Sequence, residues 1–247
     1  MAIPWNLERE LCGLVIATSV REAIWRLGVI SEPSPEAVIE EVHSWTPGGA
    51  ETFIYRFRVL LPETVHDVLL KAIVAFSTAK SLSEIGDEWV TRRRLLEHEG
   101  IRTPTLYYAG RALLVEQFIP QKLSEFLRRG PIETTPLFDQ VIQFAATLEK
   151  LGFRPISLFH DLRTDGADVF VVDFGQDLGP PALTSRRDGR LLREAIRWLK
   201  NNTASSQVID EDRATALYAL HAADRSREGT DGLSVEDSAR RMRPYRD

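Results

Sequence analysis

The sequence predicts an α+β fold, a small antiparallel sheet followed by a reduced set of helices. Three observations carry that prediction. Short apolar segments separated by turn residues fill residues 41–119, as strands and hairpins do. One amphipathic stretch, Asp87 to Glu99, interrupts them after the third segment. Beyond Pro120 the apolar residues recur at helical spacing, broken once by a strand pair within Phe159–Gly175. At 247 residues the chain has room for one large domain or two lobes.

The elements follow in order. Leu7, Leu11, Leu14, Val15 and Leu27 lie at near-helical spacing behind Asn6, a suitable N-cap, so residues 1–40 read as a helical extension. Cys12 within it reads as a packed small apolar residue. Pro33 and Pro35 punctuate its end, ahead of the short segment AVIEEV. From Val42, VHSWTPGGAETFIYRFRVLL suggests two strands about a turn at Pro47-Gly48-Gly49. HDVLLKAIVAF suggests a third, with Lys71 alone inside its apolar run. The Asp87–Glu99 helix stops at Gly100 and Pro104, and TLYYAG and RALLVEQF read as two more strands around Gly110. KLSEFLRRG predicts a short helix. PLFDQVIQFAATLEKLG predicts a longer one, with Phe138, Val141, Ile142, Ala145 and Leu148 on one face. RLLREAIRWLKN puts Leu192, Ile196 and Leu199 in register, and ATALYALHAA reads as a last helix. The expected parts are therefore an extension (1–40), a sheet lobe with one inserted helix (41–119), a helical lobe with the hairpin (120–223) and a polar, disordered tail (224–247).

Bulk composition excludes several classes. A net charge of −5 argues against nucleic acid as the main partner. One cysteine forms no internal disulfide, which favours a reducing cytoplasm. No apolar run approaches the ~20 residues that span a bilayer. Glu8, Arg9 and Glu10 stand where a signal peptide would carry an apolar core.

Chemistry concentrates in FHDLRTDGADVFVVDFG. It reads as a hairpin with Asp165-Gly166 at its turn and Val169, Val171 and Val172 in the core. Asp173 stands at the strand end, and Gly175 permits a sharp turn away. Two strand-end carboxylates such as Asp161 and Asp173, brought to ~4 Å, repel by roughly 4 kcal/mol at an effective dielectric of ~20. A bound Mg²⁺ removes that repulsion and gains oxygen ligands. The plain alternative is a pair of unrelated turn aspartates, the reading given to Asp165 and Asp168. Lys71 in an apolar strand needs a partner or an edge. Glu88 is the preferred partner, with Glu84 as fallback, although Arg92 could take Glu88 in an i,i+4 pair on a solvated face. Gly48-Gly49 could bring backbone N–H groups to phosphates, or form a plain hairpin turn.

In this order the pieces resemble the protein-kinase-like superfamily, nearest to aminoglycoside phosphotransferases and other compact bacterial kinases, over about Val42 to Lys200. GGAETFIYRF matches the glycine loop and second strand, VLLKA the lysine strand, EWVTRRRLLEHEGIRTPTLYYAG the helix and fourth strand, and FVVDFG the metal-binding signature. LLVEQFIP looks like the hinge, where backbone groups near Glu116 and Phe118 would meet adenine. The resemblance implies ATP and Mg²⁺ as cofactors, Lys71 and Glu88 on the phosphates, and Asp161 and Asp173 on metal. The catalytic loop departs from the family pattern. The family pattern is His-x-Asp with an asparagine five residues after the Asp; taking Asp161 of His160-Asp161-Leu162 as the catalytic base puts Gly166 at the asparagine position and shortens the hairpin. The register that keeps the hairpin makes Asp161 a metal ligand twelve residues before Asp173 and puts Ile156 at the base position. Ile156 accepts no proton, so His160 is the candidate substitute, against a packed or capping role.

Three readings follow. One is an ATP- and Mg-dependent phosphotransferase acting on a hydroxyl of an unknown small molecule or protein. Another is a pseudokinase, a nucleotide-binding or interaction module that docks a protein through its N-terminal helix. The last is a fold with no nucleotide role.

Overall fold

The computed structural model describes residues 28–30, 36, 38–47, 52–73, 81–110, 113–130, 134–153, 155, 158–175, 178, 189–204 and 207–223. The expected N-terminal helix with Cys12, the Gly48-Gly49 turn, Ile156 and the tail from Asp224 lie outside these residues. The described residues are α+β, with two antiparallel sheets and five α-helices. None of these helices is long and apolar enough to cross a membrane. They divide into two compact units. The first takes its residues from Met1–Arg93, Arg102–Leu123 and Asp161–Gly175, and the second from Arg94–Ile101, Ser124–His160 and Gln176–Asp247. The hairpin thus groups with the sheet.

In the first unit β1 (Val38–Pro47), β2 (Thr52–Leu60), β3 (Val65–Ile73), β4 (Leu106–Gly110) and β5 (Leu113–Gln117) form a sheet in the order β1-β2-β3-β5-β4. Every neighbouring pair is antiparallel. Val38–Val42 of AVIEEV, read as a separate segment, belong to β1, because the nine-residue β2 is long enough to pair Leu60 with Val38. Val68, Leu70 and Ala72 of β3 are buried, and so is Lys71 on the other face. In β5 Leu113, Leu114, Val115 and Glu116 are all buried, so both faces of this central strand are covered.

Between β3 and β4 runs α1 (Leu82–His98), which starts five residues before the expected Asp87. Ser81 and Glu84 start it. The Glu84 carboxylate accepts from the Ser81 N–H at 2.7 Å and from its hydroxyl at 2.8 Å, and the Glu84 N–H donates to the Ser81 Oγ at 3.2 Å. This is a capping box, which satisfies donors that the first helical turn leaves open. Gly100, at φ 82°, ends the helix as expected.

A second small sheet joins β6 (Gln121–Lys122), β7 (Arg163–Thr164) and β8 (Val169–Phe170). Thr164 pairs with Val169, so the turn falls at Asp165-Gly166 as read from sequence. Asp165 Oδ1 accepts from the N–H groups of Ala167 and Asp168, and Gly166 takes φ 104°, where a side chain is strained.

The second unit is helical: α2 (Leu123–Arg128, of which Leu123 belongs to the first unit), α3 (Thr135–Leu151), α4 (Arg190–Asn202) and α5 (Glu211–Ala222). The stripe Phe138, Val141, Ile142, Ala145 and Leu148 of α3 is buried as expected. In α4 the buried face is Leu191, Ala195, Trp198, Leu199 and Asn202; Leu192 and Ile196 are only half-buried. The wide Trp198 ring sets this rotation, packing against Phe159 with ring centroids 6.0 Å apart. Glu149, buried on α3, accepts from the Tyr218 hydroxyl of α5.

Candidate functional site

The chemistry of the first unit gathers where β3, β5, α1 and the segment after β8 converge. Lys71 is 8% exposed, and its ammonium meets Glu116 Oε1 at 2.5 Å and donates to the Val172 carbonyl at 2.6 Å. Its partner is therefore Glu116 on β5, and not Glu88. Register explains the substitution. Lys71 lies opposite Leu114 and Leu69 opposite Glu116, so Lys71 and Glu116 are diagonal neighbours on one sheet face. Long side chains bridge that diagonal. Glu88 meets Arg92 at 3.8 Å, the solvated i,i+4 pairing left open above, and Glu84 serves the helix cap.

Glu116, 1% exposed, also takes Arg93 of α1 at 3.2 Å, and Arg93 is 3% exposed. One carboxylate therefore sits between two buried cations. Such a cluster is tolerated in a low-dielectric interior only because each charge is met. The Arg93 guanidinium also lies 5.6 Å from the centroid of the Phe174 ring, which is buried.

Arg92 acts on the same segment. Its NH1 donates to the Phe174 carbonyl at 2.9 Å and to the Gly175 carbonyl at 2.5 Å. The Gly175 N–H in turn donates to Asp173 Oδ1 at 2.8 Å, closing a short Asx turn that orients the carboxylate. Val171 donates its N–H to the Arg102 carbonyl at 3.0 Å. Residues 171–175 are thus tied down by α1, β3 and the Arg102 backbone. The lysine of the third strand and the Asp-Phe-Gly segment, 101 residues apart, meet at Val172, the residue before Asp173.

The remaining candidates fall as follows. Asp161 ends a 3-10 turn, Leu158–Asp161, and is half-buried at the hairpin entrance, while Asp173 is half-buried at its exit. His160 is exposed and belongs to the helical unit. At the expected hinge the N–H of Gln117 donates to the Thr105 carbonyl and that of Phe118 to the Asp67 carbonyl, both at 2.8 Å. Neither amide is spare for a base. The Phe118 ring instead carries Arg56, 3.9 Å from its centroid, while Arg56 also pairs with Asp67 at 3.2 Å.

Glu116, Arg92 and Arg93 are the site members whose roles sequence reading missed. The signal for Glu116 was present: LLVEQF holds one charge in an apolar strand, as VLLKA does, and two such strands side by side pair their charges.

Among the described residues no group of three or more His, Cys, Asp or Glu side chains could hold a metal ion by itself. Mg²⁺ binds through one or two carboxylates plus waters and substrate phosphates. Two carboxylates alone do not complete such a set; phosphate oxygens and waters would have to supply the rest.

No family model and no curated protein matches the chain. Among solved structures, the Rio2 kinase–ADP/Mg²⁺–phosphoaspartate complex from Chaetomium thermophilum is similar, with TM-score 0.42 and 15% identity over 81% of this chain. The chain spans 65% of that kinase chain, just under two thirds.

Proposed function

We propose that the protein has a kinase-like fold and is an ATP- and Mg-dependent phosphotransferase acting on a hydroxyl acceptor. The supporting observation is the bond from Lys71 to the Val172 carbonyl, which sets a buried ammonium beside the segment that carries Asp173. An ammonium has three donors. Glu116 and Val172 take two, which leaves one for a phosphate oxygen. Glu116 takes the role expected of Glu88: it neutralises Lys71 and fixes its direction. Asp173, oriented by the Gly175 N–H, and Asp161 would hold Mg²⁺, which neutralises phosphate charge when bound. Phosphoryl transfer depends mostly on positioning and charge neutralisation, so Ile156 at the base position slows it without forbidding it.

A second reading, a pseudokinase that binds nucleotide without turnover, is favoured by Ile156, whose side chain accepts no proton. A thermal-shift titration with ATP and Mg²⁺ on wild type and Asp173→Ala, followed by an assay for ADP release, tests both. Stabilisation that needs Asp173, with ADP released, supports the enzyme. Stabilisation without ADP supports the pseudokinase. A shift unchanged in Asp173→Ala removes the metal assignment.

A further inference from the structure

We propose that the helical unit holds a binding site for a small organic oxyanion, a phosphate monoester or carboxylate attached to an apolar ring. The site is a cavity of about 480 Å³ between α2, the Phe159–His160 turn and α4, all within that unit. Small-molecule pockets span about 300–1,000 Å³.

Its lining combines charge with an apolar wall. Arg128 and Arg197 bring two guanidinium groups, and the one lining carboxylate, Glu194, is already paired with Arg190 at 3.4 Å. Arg128 is set in advance. Its NH2 donates to Asn202 Oδ1 at 2.6 Å, and Asn202 is buried, with its Nδ2 donating to the Trp198 carbonyl at 2.8 Å. A guanidinium fixed before binding loses less freedom when an anion arrives. Arg197 is exposed and has no hydrogen-bond or ion-pair partner among the described residues. Its planar fork matches carboxylate and phosphate oxygens. Trp198 and Phe159, both buried and packed on each other, supply apolar surface. The Trp198 indole N–H is closed off from solvent, so the ring counts here as a wall and not as a donor. His160, the sequence candidate for catalytic base, also lines this cavity.

The site does not depend on the nucleotide reading. Phenyl phosphate, benzoate and phenol, titrated separately into the full chain and followed by calorimetry and tryptophan fluorescence, test it. Both anions, or one of them, should bind saturably, with phenol at least tenfold weaker, and the stronger anion identifies the headgroup. Arg197→Gln removes an unpartnered exposed side chain, so it should fold normally and weaken anion binding at least tenfold. Asp173→Asn should leave it unchanged, which separates this cavity from the nucleotide site. Phenol binding as tightly as the anions, no saturable anion binding at millimolar concentration, or wild-type anion affinity in Arg197→Gln would each overturn the proposal.

Discussion

Replacing Glu116 by Gln is the sharpest perturbation of the buried cluster. The change is nearly isosteric, so packing is kept while one negative charge disappears from between Lys71 and Arg93. Glu116 is 1% exposed, Arg93 3% and Lys71 8%, so water offers little screening. Removing one partner of a buried ion pair costs about 3–5 kcal/mol. For a chain of this length each kcal/mol moves Tm by roughly 2–4 °C, so a fall of about 6–20 °C is expected. Because the chain contains two units, thermal unfolding by circular dichroism should be joined to hydrogen exchange, with the loss of protection centred on β3 and β5. Lys71→Met should be milder, since Arg93 still meets Glu116 at 3.2 Å. Lys71→Met added to Glu116→Gln should recover part of the loss, because one buried cation is removed with its lost partner. A Glu116→Gln protein within 1 °C of wild type, or a double variant as unstable as the two losses summed, would refute the cluster.

Arg92→Ala removes two charge-assisted bonds to the Phe174 and Gly175 carbonyls. At about 1.5–3 kcal/mol for a hydrogen bond to a charged group, the Gly175 amide should exchange at least ~10-fold faster. Ser81→Ala breaks the cap of α1 and should cost about 0.5–2 kcal/mol, read as lower Tm. Burial holds the Tyr107 phenol above its ordinary pKa of 10.0. As pH rises past that value the unfolded chain sheds the proton first, so stability present below it is lost. Tyr107→Phe should flatten this alkaline loss in urea melts at increasing pH.

Much of this was legible in the chain because local rules and tertiary contacts agree. The hairpin at Asp165-Gly166 needs only turn chemistry and β-branched residues, and the α3 face needs only its period. Where reading fell short, a neighbour in space decided. The start of α1 was readable from the capping pair Ser81 and Glu84, five residues ahead of the expected Asp87. In α4 both Leu192 and Trp198 fit a helical stripe, and the Phe159 ring chose between them. The partner of Lys71 depends on which strand lies beside β3, and β5 reaches that place by skipping β4. A helix carboxylate was sought where strand register supplied one, and α1 instead contributes Arg92 and Arg93.

Calorimetric titration of ADP, in EDTA and in Mg²⁺, against wild type, Lys71→Met and Asp173→Asn addresses the proposed nucleotide site at Lys71 and Asp173 most directly. Mg²⁺ should tighten ADP at least tenfold in wild type and have little effect in Asp173→Asn, while Lys71→Met weakens ADP under both conditions. Absent ADP binding, or binding indifferent to Mg²⁺ and to both substitutions, would contradict a nucleotide site at this position.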